Sequence, residues 1–547
     1  MRSRAVLERD AGRRTSPGWR RAAQVAMYVV SGALVARCLA PLADRCWWAV
    51  RCPYEIFYGE GGLLQEAMTL ARGGGIYNDF RHYPFLVATY PPFYSLLSAA
   101  GVRLFGAGFA FGRALSVVAT LGIAVLIWGI VRRVARSHFA AAGAAVLFLA
   151  APIVRLWAPA MRVDMVGMLL GLGALYCVLR GRRWLIPAAA LMVLAVYTRQ
   201  SEVASLAAGV AYLWWVRERK QAALLVGGWA AATAAVFGAL QVASHGWFYH
   251  HIVISNQNLW DLGQFALLWR SAVREWPAPF LLGLAGAAVA LARFGETAPG
   301  RDGEGHNARL LGLYFVFAAL ISITAGKVGA YVNYMLQPLA ASCLLSAVAY
   351  DRLEPHLGSA RGRAAWVALW LVVVVSLLLR LLDPMARAGG AETRWRRRFE
   401  AEQAQAVALI RRTPGDVLSE IVGLPLVAGR PVLLEPFEFS QMAVVGNWDE
   451  RPVVRDIERH RFSLIILKWW NPSHPAPDKW GTYGNGCWTR AMTRAMRRHY
   501  HLAATAGELY FMKPNEPPPA GPPVMGPHAG RAAYVERPQS LGVRSSG

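Results

Sequence analysis

Residues 58–94 read YGEGGLLQEAMTLARGGGIYNDFRHYPFLVATYPPFY, and the fold turns on how this stretch is placed. It is polar and rich in glycine and tyrosine, and it follows directly on the first long apolar run, at 22–44. A short helix is expected from Glu60 to about residue 72, after which Pro91-Pro92 and two aromatic residues lead back toward the apolar chain. Carboxylates held just outside an apolar span, on a helix with glycines at its start, imply a reactive loop at a bilayer surface.

Composition supports a bilayer. Of 547 residues, 55% are hydrophobic and only 17% charged, against about a quarter charged in ordinary soluble domains. The apolar residues come in blocks long enough to cross about 30 Å of hydrocarbon. Runs fall at 22–44, 109–131, 139–157, 165–180, 184–199, 203–217, 221–243, 277–293, 309–325, 331–350 and 364–383. They predict an all-α polytopic membrane protein with a bundle of about eleven transmembrane helices.

The formal charge of +25 would suit nucleic acid if it formed one face, but the arginines sit in short loops between apolar runs. With residues 1–21 as a basic cytoplasmic arm, successive inside loops carry Arg132, Arg133 and Arg136, then Arg180, Arg182 and Arg183. Arg217, Arg219 and Lys220 follow, then Arg293, Arg301 and Arg309, then Arg352, Arg361 and Arg363. That alternation is the positive-inside pattern, and it excludes nucleic acid as the expected partner. Counting 92–106 as a full span would invert every later loop, so it is expected as a helix lying at the outer interface. No small-residue cleavage site follows the first apolar run and Arg37 interrupts its end, so that run is expected to be a retained anchor.

An odd number of spans puts the C-terminus outside. Residues 22–383 are expected to form the transmembrane domain, with 45–108 as its first extracytoplasmic loop. Residues 384–513 lose the membrane pattern and predict a small extracytoplasmic α/β domain, in which SLIILKW reads as a strand. The Pro- and Gly-rich stretch 514–547 is expected to be disordered. Cys46 and Cys52 share the first outer loop, where a disulfide and two free thiols are both open readings. The Ala-, Arg- and Gly-rich composition points to a GC-rich bacterial source, hence to the inner membrane.

This topology gathers the polar motifs on the outer side. Glu55, Glu60, Glu66 and Asp79 fall in the first outer loop, and Arg162 and Asp164 (in PAMRVDMVG) at the second. Arg199, Gln200 and Glu202 fall at the third, and His250, His251, Asn256, Gln257 and Asn258 at the fourth. Lys327, Tyr331, Asn333 and Tyr334 fall at the fifth. Ionisable groups near membrane depth are costly and mark function by default. Such a set suits group transfer from an anionic lipid. A carboxylate, Glu60, takes a proton from an acceptor hydroxyl, while Arg162, Arg199 and Lys327 hold the departing phosphate.

Each has a bland reading. Glu60 suits the first turn of a helix by charge alone, and Glu66 reads as a solvated face. Arg162 and Asp164 could be an ion pair, and Arg199 and Lys327 could reach lipid headgroups. The glycines around Glu60 would let substrate approach the backbone. The His pair lacks a third ligand for zinc, and a divalent cation, magnesium or manganese, is left undecided. The chain has no nucleotide-binding GxxxxGK[ST], no GxSxG and no HExxH.

YGEGGLLQEAMTLARGGGIY, TYPPFYSLL, RVDM, TRQS and GAYVNYMLQPLAA together resemble the GT-C membrane glycosyltransferases, in particular bacterial proteins related to protein mannosyltransferases and aminoarabinose transferase. The resemblance covers most of residues 50–350, and the stretch from Val417 to Leu467 is similar to the tail domain of such proteins. It implies a GT-C bundle and transfer of a sugar from a polyprenyl-phosphate donor to a glycan, lipid or protein hydroxyl at the extracytoplasmic face, with inversion. Glu60 falls where relatives carry Asp or an Asp-Glu pair, with Glu55 in reserve. Asp164 falls on a second acidic position, and Arg199-Gln200 on a Thr-Lys-Gln motif. Lys327, Tyr331 and Asn333 fall where phosphate or sugar would be contacted. A lipid-linked saccharide flippase without chemistry is the competing reading.

Overall fold

The computed structural model describes residues 18–135, 137–292, 304–353, 359, 389–472 and 476–515. The run at 364–383, residues 1–17 and 516–547, and Arg136, Arg293, Arg301, Arg361 and Arg363 lie outside the described residues.

Every apolar run from 22–44 to 331–350 falls on helix. The chain opens with α1 (Gly18–Arg51), α2 (Glu60–Ala71), α3 (Phe93–Phe105) and α4 (Ala110–Val134). The run at 139–157 is two helices, α5 (His138–Leu149) and α6 (Pro152–Trp157). Pro152 lacks an N–H and is suited to a first helical turn, so it starts α6 rather than extending α5. Next come α7 (Asp164–Leu179), α8 (Leu185–Val196), α9 (Ala204–Trp215) and α10 (Arg219–Ala243). After a short helix α11 (Trp247–Ile252) follow α12 (Leu262–Glu275), α13 (Pro277–Ala292), α14 (Glu304–Ile321) and α15 (Leu336–Leu353).

Four helices among the described residues are long and apolar enough to cross a membrane. Their surfaces show what surrounds them. On the 25-residue α10 only Ala222 and Leu225 are buried, and Val118, Leu121 and Val125 of α4 are more than half exposed. Apolar exposure on this scale is stable only in lipid. By contrast α8 and α9, of 12 residues each, reach only about 18 Å, less than the hydrocarbon thickness, so the turn joining them is recessed. Helix α12 was not expected: it is amphipathic, with only Leu268 buried, and is started by Asp261, whose side chain accepts from Gln264 N.

The arginine loops share one end. Arg133 and Arg180 both lie over the ring of Tyr176, and Arg180 over Trp184. Arg219 lies over Trp214 and Arg309 over Trp215. The turns at 158–163, 197–203, 244–261 and 322–335 connect the opposite ends of these helices.

Residues 389–515 form an α/β unit. It opens with the long helix α16 (Gly389–Arg412) and contains α17 (Gly423–Val427), α18 (Pro436–Val444), α19 (Arg451–Glu458) and α20 (Arg490–His499). Its strands are β1 (Asp416–Ser419), β2 (Phe462–Leu467), β3 (Tyr500–Ala506) and β4 (Leu509–Pro514), in the order β1-β2-β4-β3. Strand β2 pairs parallel to β1 and antiparallel to β4. FSLIIL is a continuous apolar run because the sheet is covered on both faces. Ile465 and Leu467 meet Phe439 and Trp488, while Leu464 and Ile466 meet Val407 and Ile410.

This unit is stitched to the first loop. Phe85 forms a parallel bridge with Leu434, with Phe85 N donating to Leu433 O (2.8 Å) and Glu435 N to Phe85 O (3.1 Å). Phe80, Phe85 and Val87 are buried in the unit's own core. Glu55, the reserve base of the sequence reading, is a crosslink instead: its carboxylate accepts from Gly59 N (3.0 Å) and from Gly423 N (2.7 Å). Cys46 lies within α1 and all six cysteines are free, so the open choice at Cys46 and Cys52 resolves to free thiols.

Candidate functional site

The motif acids are buried and their oxygens are filled. Glu60 is 0% exposed. Its Oε1 accepts from Arg113 Nε (3.0 Å) and Met161 N (2.8 Å), and its Oε2 from Arg113 Nη2 (2.6 Å), Ile56 N (2.8 Å) and Phe57 N (3.2 Å). Arg113, equally buried, spends its other donors on the carbonyls of Ala49, Cys52 and Tyr54. Burial draws the Glu60 carboxyl up, but Arg113 outweighs it and holds it below the ordinary range. A base needs a free lone pair and a pKa near the working pH, and Glu60 has neither here. The geometry makes it the pin that folds residues 54–60 onto α4, a structural role the sequence reading did not give it.

Asp164 is similar. Its Oδ1 meets Arg199 Nη1 at 3.0 Å and accepts from Asn333 Nδ2 (2.7 Å), and its Oδ2 accepts from Trp157 Nε1 (2.8 Å). Arg199 also lies over the Tyr334 ring at 4.6 Å and 3.7 Å from Glu202. Asp164, Arg199 and Asn333 thus form one buried knot joining α7, the recessed turn and the start of α15. Of the two readings of Asp164, the geometry favours the ion pair, with Arg199 rather than Arg162 as its partner. Gln200 donates to Thr89 O (3.0 Å), and Tyr331 lies exposed against Trp157.

Beside these knots lies a cavity of about 110 Å³. Its lining includes Arg162 and Lys327, the two cations that the sequence reading offered to a phosphate. Arg162 donates to Tyr58 O (3.2 Å) and to the Tyr90 hydroxyl (2.8 Å), and its Nε has no partner. Lys327 Nζ donates to Asn256 Oδ1 at 3.0 Å, and burial lowers its pKa to about 8. Neither cation makes an ion pair among the described residues, although the nearby Asp164 and Glu438 charges favour the Arg162 cation, so both can still offer donors to an anion in the cavity. Asn256 is itself held by Thr89 O and Ile252 O.

The acidic part of the lining was not foreseen. It carries Glu66 from α2 and Glu435, Phe437 and Glu438 from the C-terminal unit. Glu66, read from sequence as a solvated face, is half-buried and accepts from Ser95 Oγ, and burial raises its pKa to about 7. Glu435 accepts from Val87 N (2.7 Å), and burial beside Glu438 holds its proton on well above the usual range. Glu438 accepts from the Tyr58 hydroxyl at 2.9 Å.

The glycines correct another expectation. A Cβ on Gly59, whose φ is +85°, would stand 2.0 Å from Arg162 Nη1, and one on Gly61 2.4 Å from Gly423 N. They make room for the protein's own guanidinium and C-terminal unit. His251 is structural: Nδ1 accepts from Ala88 N (3.0 Å) and Nε2 lies 2.8 Å from Asn78 O. No group of three or more His, Cys, Asp or Glu among the described residues could hold a metal ion, so no step below runs through magnesium or manganese.

Residues 89–248 match the family model described as dolichyl-phosphate-mannose-protein mannosyltransferase. No curated protein sequence matches. The structure is similar to ArnT from Cupriavidus metallidurans bound to undecaprenyl phosphate, at 17% identity and a TM-score of 0.57, over 89% of this chain and 98% of that one. The apo state of that protein matches at 16% identity and a TM-score of 0.54, over 90% and 98%. The archaeal oligosaccharyltransferase AglB from Archaeoglobus fulgidus aligns at 14% identity over 87% and 74%, with a TM-score of 0.45. The fold is that of the GT-C membrane glycosyltransferases.

Proposed function

We propose that this chain is a membrane glycosyltransferase that moves a sugar from a polyprenyl-phosphate donor to an acceptor hydroxyl at the extracytoplasmic face. The single observation that carries the reading is one cavity lined both by Arg162 and Lys327, cations without an ion pair among the described residues, and by the carboxylates of Glu66, Glu435 and Glu438. It lies at the end of the bundle away from the arginine loops, and the positive-inside pattern supports reading that end as extracytoplasmic. The mannosyltransferase family match and the likeness to ArnT, solved with undecaprenyl phosphate, support a lipid-phosphate donor.

The reaction is a single displacement with inversion. A cavity carboxylate takes the proton of the acceptor hydroxyl, whose oxygen bonds to the anomeric carbon. The bond from that carbon to the phosphate oxygen breaks, and its electron pair leaves with the lipid phosphate. Arg162 offers a planar fork and Lys327 a point charge to the growing phosphate charge. Glu60, Asp164, Arg199, Gln200 and Asn333 act one layer back, by holding the loops that carry these groups. Tyr331, exposed and next in sequence to Ala330 of the cavity lining, offers an aromatic ring suited to a sugar face.

Purified protein in lipid, offered radiolabelled polyprenyl-phosphate sugars, tests this. Wild type releases label to an acceptor, and Arg162→Ala with Lys327→Ala does not. Movement of the lipid-sugar across the bilayer without release would retire the reading in favour of a flippase.

A further inference from the structure

We propose that the catalytic base is Glu438, so that the C-terminal unit supplies the group that activates the acceptor. The inference rests on the transferase reading above and deepens it.

Three carboxylates line the cavity, and they differ in what their oxygens already do. Glu435 is 6% exposed, its Oε2 is committed to Val87 N, and its Oε1 lies over Gly62. That residue keeps its proton, pressed by burial and by Glu438, and serves to fix the seam between 85–87 and 433–435. Glu66 accepts one hydrogen bond, at Oε2 from the Ser95 hydroxyl, so its Oε1 is as open as that of Glu438, but among the described residues no hydrogen-bonded residue ties it to Arg162 as Tyr58 ties Glu438. Glu438 is half-buried, and its Oε1 accepts from no other residue among the described residues. It is therefore a carboxylate with an open lone pair facing the cavity.

Its placement relative to the phosphate site is fixed by one residue. The Tyr58 hydroxyl donates to Glu438 Oε2 (2.9 Å), while the Tyr58 carbonyl accepts from Arg162 Nη1 (3.2 Å). The Tyr58 ring is clamped edge-on by Phe437 (5.8 Å) and Trp469 (5.3 Å). Tyr58 thereby sets the separation between the acid and the cation. A phosphate on Arg162 and an acceptor hydroxyl on Glu438 would flank an anomeric carbon placed between them, as in-line displacement requires. The proton passes from the acceptor oxygen to Glu438 Oε1 as the new carbon–oxygen bond forms. Burial raises the Glu438 carboxyl above its usual range, while its own backbone amide, the Tyr58 hydroxyl and Arg162 pull it back.

The test compares Glu438→Gln, Glu66→Gln and Tyr58→Phe in the transfer assay, with melting temperatures beside it. Glu438→Gln keeps an oxygen for Tyr58, so the fold is expected to hold. Its kcat is expected to fall about 100-fold or more, the range for loss of a general base, with donor KM little changed. Glu66→Gln is expected to stay within about tenfold of wild type on the same scale. Tyr58→Phe removes a bond that favours the ionised acid and moves the acid limb of the pH profile to higher pH. Wild-type turnover with Glu438→Gln equally active, or with Glu66→Gln the more damaged, overturns this assignment alone. A wild type that transfers nothing from any donor overturns the transferase reading and this assignment with it.

Discussion

Glu60 and Glu438 both contact the turn at residues 56–60, yet they are opposite kinds of acid. Glu60 takes five hydrogen bonds from Arg113 and three backbone amides and sees no cavity, whereas Glu438 takes one from Tyr58 and faces the open space. The first sits in the most conspicuous motif of the chain. The second lies in a C-terminal stretch with no membrane pattern at all. A conspicuous acid can be the one the fold needs, while reactivity goes to the acid left with an unfilled lone pair.

The contrast breaks most easily at Glu60. Glu60→Gln strands Arg113 as a buried, unpaired cation, at a cost of about 3–5 kcal/mol, and should lower the melting temperature and the folded yield sharply. A variant that melts like wild type but has lost turnover would return the chemistry to Glu60. Arg162→Ala and Lys327→Ala come next. Each should weaken binding of polyprenyl phosphate by about 10- to 100-fold, the worth of one to two charge-assisted hydrogen bonds, with melting little changed for Lys327→Ala and lowered for Arg162→Ala, which also loses its bonds to Tyr58 and Tyr90. Unaltered affinity would leave the cavity without its anion.

A smaller effect belongs to His251. Burial lowers its pKa from 6.5 to about 4, so the folded state prefers the neutral ring. That contribution is complete above 6.5 and is lost as pH falls toward 4. The protection factor of the Ala88 amide should fall as pH drops through this window, and His251→Gln should flatten that dependence. Smallest is Trp157→Phe, which removes one donor from Asp164 and should cost about 1 kcal/mol by thermal denaturation, with activity retained.

The apolar runs, the arginine loops and the helix at Glu60 were legible because each depends on local pattern. The placement of Arg162 and Lys327 at the same end of the bundle was legible too, since it follows from the loop order. The state of Glu60 was not, because it depends on Arg113, 53 residues away. An arginine within the apolar stretch AFGRALSVV was the signal that such a partner existed. Glu66, Glu435 and Glu438 stayed hidden for a larger reason. Their role appears only once 433–435 pairs with 85–87, and no periodicity encodes that docking. The glycines were legible as sites of close approach, but the approaching group is the protein itself.

The bridge between Phe85 and Leu434 also sets a timetable. During synthesis the helices can enter the membrane one after another, long before residue 433 leaves the ribosome. The reaction chamber closes only when the last quarter of the chain arrives and docks on a loop made near the start. A nascent chain, or one cut short before that point, would sit in the bilayer as an inert bundle. Activity would then report that translation had finished.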